Sequence, residues 1–305
     1  RPRMNTPAVP GADRRAPRPW RMLWITFAWG SCFVAISVGL QDAPLLWLAA
    51  LRALVAGAAL LILTVIRRAP VPREVRSWTL IGVLGVVNVA IAYAAMFGGT
   101  IGLTTGVASV LANVQPVLIL LPAWWLYRER PSLRSVAAML TGLAGLLLIV
   151  LPAGAGTGAW LSLTAAAAVT AGTLISRAVR ADPFLVATVQ LLLGGGILLV
   201  AAAIVEGPPV IEWTPGFVLS LLWMSLAGTA ATTVAWYAET QRSRLDILTT
   251  WTILVPVFGI VLSVGLLQET QSVLGWTGTA IVIGSVALLT IPGRHADRAS
   301  RRLEG

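Results

Sequence analysis

The chain has no lysine, one cysteine, one histidine and only 12 acidic residues in 305. Each shortage excludes something. A lone Cys32 cannot form an internal disulfide, and it reads as a small packing residue. The single histidine, His295, lies in the C-terminal tail, so neither a metal cluster nor a nucleophile with its base can be assembled around it. No Gly-x-x-x-x-Gly-Lys loop occurs, which removes ATP hydrolysis from the options. No Asp or Glu falls near the middle of an apolar run, where proton-driven pumps usually keep one. Neither an enzymatic activity nor a metal or other cofactor is therefore expected.

Charged residues are 11% of the chain and hydrophobic ones 57%, too little polarity for a water-facing surface, so the outer face is expected to meet lipid. The net charge of +10 does not indicate nucleic acid, because the arginines lie in the tails and in alternate connections. Apart from Arg52 they form six clusters: Arg1 to Arg21, Arg67 to Arg76, Arg128 to Arg134, Arg177 and Arg180, Arg242 and Arg244, and Arg294 to Arg302. The connections between, such as Gln41 to Pro44, Ala153 to Gly156 and Glu206 to Pro209, carry acids or no charge. Short cytoplasmic loops concentrate arginine, so the alternation predicts ten crossings with both ends in the cytoplasm. The abundance of Arg and Ala without Lys points to a bacterium, and hence to its inner membrane.

About twenty apolar residues cross a bilayer as a helix. Ten runs qualify: Met22 to Leu40, Leu45 to Ile66, Ser77 to Phe97, Leu103 to Leu126, Leu133 to Leu151, Gly158 to Ser176, Phe184 to Val205, Thr214 to Tyr237, Leu245 to Leu267 and Val273 to Ile291. The expected organisation is a basic tail over 1–21, of which 1–3 precede Met4 and read as a vector remnant. A first repeat follows over 22–151, a second over 158–292, and a basic tail over 293–305. The class is an all-α membrane protein, and its internal pseudo-symmetry makes a monomer sufficient.

The repeat is visible at an offset of about 140 residues. Pro116 precedes Glu129 by thirteen residues, and Pro256 precedes Glu269 by the same spacing. Met96-Phe97 falls opposite Trp236-Tyr237, and Arg52 nearly opposite Gln190. Since five crossings are an odd number, the halves must insert in opposite senses. Inverted bundles can rock about a central site at the midplane. Pro116 and Pro256 each lack a backbone donor and either bend or break the fourth and ninth spans there or are ordinary kinks absorbed by packing.

These residues resemble the EamA branch of the drug/metabolite transporter superfamily, bacterial exporters of amino acids and other small metabolites. The resemblance rests on Trp29-Gly30-Ser31 in the first span, Leu51-Arg52 in the second, the two Pro-to-Glu spacings, and Gly142, Gly145, Gly278 and Gly284 after each Glu. It covers about residues 22 to 292 and implies a basket-like bundle with a central cavity, lined chiefly by helices one, three, four, six, eight and nine of the ten. Glu239, Arg242 and Asp246 depart from it by making the connection after the eighth span more charged than its counterpart.

Polar groups at midspan form the candidate site: Asn113 and Gln115 first, then Ser31, Asn88 and Thr173. Amides and hydroxyls can hold a solute without burying charge, or can simply join helices. Trp29, Tyr93, Trp236, Tyr237 and Trp251 lie deep enough to wall a cavity, whereas nine other tryptophans sit near span ends as an interfacial belt. Arg52, the one cation at membrane depth, either clamps a substrate carboxylate or snorkels to the outer interface. Glu129 and Glu269 either satisfy helix-start donors or form a proton-linked gate. The expected substrate is a small neutral or zwitterionic metabolite, amino acids first, with purines or cationic drugs as the alternative; a membrane scaffold or lipid-handling protein is the reading from another class.

Overall fold

In a computed structural model the described residues are 17–119, 122, 125, 133–153, 156–240, 243, 248, 251, 252, 254–270 and 272–290. Eleven helices are resolved among them: α1 (Pro19–Gly39), α2 (Leu45–Ile66), α3 (Val75–Gly99), α4 (Thr105–Ala112), α5 (Gln115–Leu118), α6 (Leu133–Ala153), α7 (Thr157–Ser176), α8 (Pro183–Val205), α9 (Pro215–Glu239), α10 (Leu254–Leu266) and α11 (Val273–Thr290). No strand occurs among the described residues.

Local chemistry sets the ends. Asp182 accepts hydrogen bonds from the backbone N–H groups of Phe184 and Leu185, with Pro183 at the first helical position of α8. Thr214 does the same for Phe217 ahead of Pro215 in α9. Six helices, α1, α2, α3, α7, α8 and α9, are long and apolar enough to cross a bilayer, while α10 and parts of α6 and α11 are shorter apolar stretches. Ile62, Ile66, Val200 and Ile204 are exposed, as side chains facing lipid would be. Trp20, Trp78, Trp160, Trp213 and Trp276 are also exposed at or near helix ends, where an indole suits the interface.

The two halves pack against each other element by element. α2 lies on α8, the helix at its place in the second half, and α6 lies on α11. α2 and α8 run antiparallel. The carboxylate of Glu206, at the end of α8, accepts from the N–H groups of Leu46 (2.9 Å) and Trp47 (3.2 Å) at the start of α2, while Thr64 near the other end of α2 meets Thr188 near the start of α8 (2.8 Å between hydroxyls). Two inverted halves require this relation. Where α6 meets α11, Gly145 and Gly278 face each other so closely that a Cβ on Gly145 would sit 2.8 Å from the Gly278 carbonyl oxygen.

Two helices widen at matching places. Residues Gly85–Ile91 of α3 and Trp223–Ala231 of α9 form π-helical turns, which hold an extra residue and recur near functional sites.

The fourth span, expected over Leu103 to Leu126 with a bend or break at Pro116, is interrupted just ahead of the proline. α4 ends at Ala112, and Asn113 has the non-helical dihedrals φ −109°, ψ 22°. Its side-chain amide donates to the Ser109 carbonyl oxygen (2.7 Å), one of the acceptors a helix end leaves open. Pro116 follows in the first turn of α5, where no backbone donor is needed. Pro256 likewise occupies the first turn of α10, two residues after its start. In the fourth span the interruption precedes the proline, and in both spans the proline begins a helix rather than bending one.

Candidate functional site

A cavity of about 180 Å³ lies between the halves. Its walls come from α1, α2, α3, the α4–α5 break, α7, α8, α9 and the start of α10. Nine of the expected site residues line it: Trp29, Arg52, Asn88, Tyr93, Asn113, Gln115, Thr173, Trp236 and Tyr237. The volume is below the roughly 300–1,000 Å³ of pockets for drug-sized ligands, which suits a metabolite.

Two polar pairs mirror each other across the halves. Arg52 on α2 donates from Nε to Thr229 Oγ1 in the widened turn of α9 (3.0 Å). Gln190, its counterpart on α8, accepts through Oε1 from Asn88 Nδ2 in the widened turn of α3, at 3.5 Å. Gln190 also donates to the Tyr237 hydroxyl (3.2 Å). The π turn thus places a short polar side chain against the corresponding helix of the other half. The match stops at charge: Arg52 is the only charged residue among the described residues that line the cavity.

Arg52 is 4% exposed, which decides against the interfacial, snorkelling alternative. Its guanidinium carbon lies 4.7 Å from the ring centroid of Tyr93 and 5.8 Å from that of Phe97, so aromatic faces supply part of the stabilisation that water would give. Its Nη1 is buried with no hydrogen-bond partner.

On the α7 side, Gln115 Nε2 donates to Thr173 Oγ1 (2.6 Å), tying the restart of the fourth span to the second half. Trp29 Nε1 donates to Thr232 Oγ1 (3.0 Å), and the rings of Trp29 and Trp236 are 5.2 Å apart. These contacts give the cavity one aromatic wall and one amide-hydroxyl wall.

Other expected residues lie elsewhere. The Ser31 hydroxyl accepts from Trp223 Nε1 (2.8 Å) and donates to the Ala28 carbonyl, joining α1 to α9 away from the cavity. Trp251 packs with Met22, Ile25 and Leu248, next to Trp29 and Trp236. Glu269 caps α4: its carboxylate accepts from the Thr105 N–H and hydroxyl and from the Gly106 N–H. Glu129 lies outside the described residues.

The sequence reading passed over Thr229, Thr252, Ser176 and Gly228, all of which line the cavity, and treated Cys32 as packing although it lines it too. Gln190 could have been found from its correspondence with Arg52. The others carried no signal, since threonines and glycines abound in apolar helices.

A lipid-facing helical bundle that closes on a small chamber is the architecture of a membrane transporter. The chain belongs to the EamA-like transporter family, whose profile matches residues 21–151 and 156–291, one copy in each half. It is similar to a chloroplastic WAT1-related protein of Arabidopsis thaliana, at 27% identity over 87% of this chain and 67% of that one. It is also similar to the uncharacterized transporter YvbV of Bacillus subtilis, at 24% identity over 92% and 93% of the two chains, and to the uncharacterized transporter sll0355 of Synechocystis, at 25% over 86% of each. A crystal structure at 19% identity superposes with a TM-score of 0.69 over 94% of this chain and 98% of that one, a likeness of fold.

Proposed function

We propose that the protein is a secondary exporter that moves a small neutral or zwitterionic metabolite, amino acids first, across a bacterial inner membrane by alternating access. It crosses the membrane ten times with both ends in the cytoplasm, and one copy suffices. The observation that carries this reading is the mirrored pair, Arg52 with Thr229 and Gln190 with Asn88, which puts the cavity on the seam between oppositely running halves. A rocking motion about that seam exposes the same groups to either side in turn. Pro116 and Pro256, each beginning a short helix, are the hinges, and Glu269 and Glu129 are gating residues at span ends.

No acid is among the described residues lining the cavity, which favours transport down the metabolite gradient, with any proton coupling through acids such as Glu239 or Glu269. The test is counterflow with purified protein in proteoliposomes. The panel spans polar, branched and aromatic amino acids, purines and cationic drugs. Exchange of one or more amino acids is expected. Preference for multivalent cations or phosphates, or no counterflow of any solute, would overturn the reading.

A further inference from the structure

Within the transport reading just given, we propose that Arg52 is the carboxylate anchor of the substrate. The solute is a monocarboxylate that docks on Arg52 Nη1 and lays its uncharged body along the aromatic wall of the cavity.

The argument starts from what already surrounds the guanidinium. Nε is taken by Thr229 Oγ1 at 3.0 Å, and the rings of Tyr93 and Phe97 approach the group. Nη1, in contrast, is buried without a hydrogen-bond partner. A buried charged donor left in that state is strongly unfavourable, so an acceptor occupies its position in the working protein. Water could accept the hydrogen bond but would leave the charge uncompensated. An anion supplies both, and a carboxylate matches the planar guanidinium.

The cavity also limits what else the solute carries. Arg52 is the only charged residue among the described residues that line it, and against that lining one negative charge is neutralised while a second is uncompensated. That disfavours phosphates and dicarboxylates. Asn113, Gln115 and Thr173 on one side and Trp29 and Trp236 on the other offer uncharged contacts to the remainder of the molecule. Among the described lining residues no carboxylate faces a substrate ammonium, so the group these residues read is the carboxylate rather than the amine.

The position is also asymmetric. Gln190, the counterpart of Arg52, already spends its amide on Asn88 and Tyr237 and carries no charge. The pseudo-symmetry of the halves is broken at this pair, which gives the solute one orientation in the chamber.

The test measures binding by thermal stabilisation and by counterflow, using L-leucine and L-phenylalanine, their 2-hydroxy acids, and their amides. The expected result is that acids of at least one series bind and exchange while the matching amides do not. Arg52→Gln should weaken acid binding by roughly 10- to 100-fold, and Arg52→Lys, which keeps the charge, should weaken it less. Binding by both amino and hydroxy acids assigns monocarboxylates generally; binding by amino acids alone narrows the class to zwitterions and leaves the anchor in place. Amides that bind as well as acids, or an acid preference that survives in Arg52→Gln, would overturn the anchor while leaving transport intact. If the unmodified protein binds no member of this panel, the anchor falls, while the transport reading stands or falls on the wider counterflow panel above. The comparison of acids with amides needs no variant, so it decides the matter even if Arg52→Gln does not fold.

Discussion

Glu269 reaches across the halves to hold Thr105. Its Oε1 accepts from the Thr105 backbone N–H at 2.9 Å and from the Thr105 hydroxyl at 2.6 Å, while Oε2 accepts from the Gly106 N–H at 3.3 Å. The Thr105 hydroxyl also lies 2.7 Å from that of Ser37, so α1, α4 and the chain leaving α10 converge on one carboxylate. It caps a helix of the first half, although the acid belongs to the second.

Removing that carboxylate should loosen this end of the bundle. Glu269→Ala is expected to lower stability by about 1–2 kcal/mol, the scale of a lost helix cap with its favourable charge. Glu269→Gln, which keeps acceptor capacity without the charge, should lose about half as much. Unfolding in detergent, followed by intrinsic tryptophan fluorescence, reads both. Equal losses would mean the negative charge contributes nothing.

Gln115 should matter more to the solute than to the fold. Gln115→Leu removes the donor to Thr173 Oγ1, which keeps its own bond to the Val169 carbonyl. The affinity for the solute identified by counterflow is expected to fall roughly 5- to 20-fold, the range for one hydrogen bond in a dry site. Thr173→Val should have a smaller effect. An unchanged affinity in Gln115→Leu would remove this amide from the binding surface.

Gly228 and Cys32 touch across α9 and α1, and a Cβ at Gly228 would collide with the Cys32 sulfur. Gly228→Ala is therefore expected to destabilise by about 1–3 kcal/mol. The double variant with Cys32→Ala should recover most of that loss, a coupling that a thermal-unfolding cycle measures directly. Additive losses would place the cause elsewhere.

Because Cys32 is the only thiol in the chain and lines the cavity at 2% exposure, it is a built-in reporter of access. A small thiol reagent should modify it slowly, and a saturating substrate should slow the reaction several-fold further. Mass spectrometry of the intact protein follows it without any engineered cysteine. Modification that ignores substrate would place the solute away from α1.

Much of this was legible because the relevant signals are local. The spacing of Pro116 from Glu129 and of Pro256 from Glu269, with Arg52 nearly opposite Gln190, displays the duplication. Nine of the eleven residues proposed as substrate contacts meet at one cavity. What the sequence withheld is rotation about the helix axis. When a helix is apolar on nearly every side, nothing in its pattern says which way Ser31 points. Here Ser31 turns toward Trp223. The break at Asn113 was concealed for a different reason: proline is the stronger signal, but the interruption arises three residues earlier, where an asparagine amide replaces a lost backbone partner.

The widened turns in α3 and α9 make the cavity sensitive to chain length as well as to residue identity. Deleting one residue from Gly85–Ile91 or from Trp223–Ala231 would let ordinary α-helical bonding re-form, with the helix on either side kept in register and the side chains inside the turn re-aimed. Asn88 would leave Gln190 in the first case, and Thr229 would leave Arg52 in the second. A shortened turn could thus yield a sturdier helix and an empty-handed carrier.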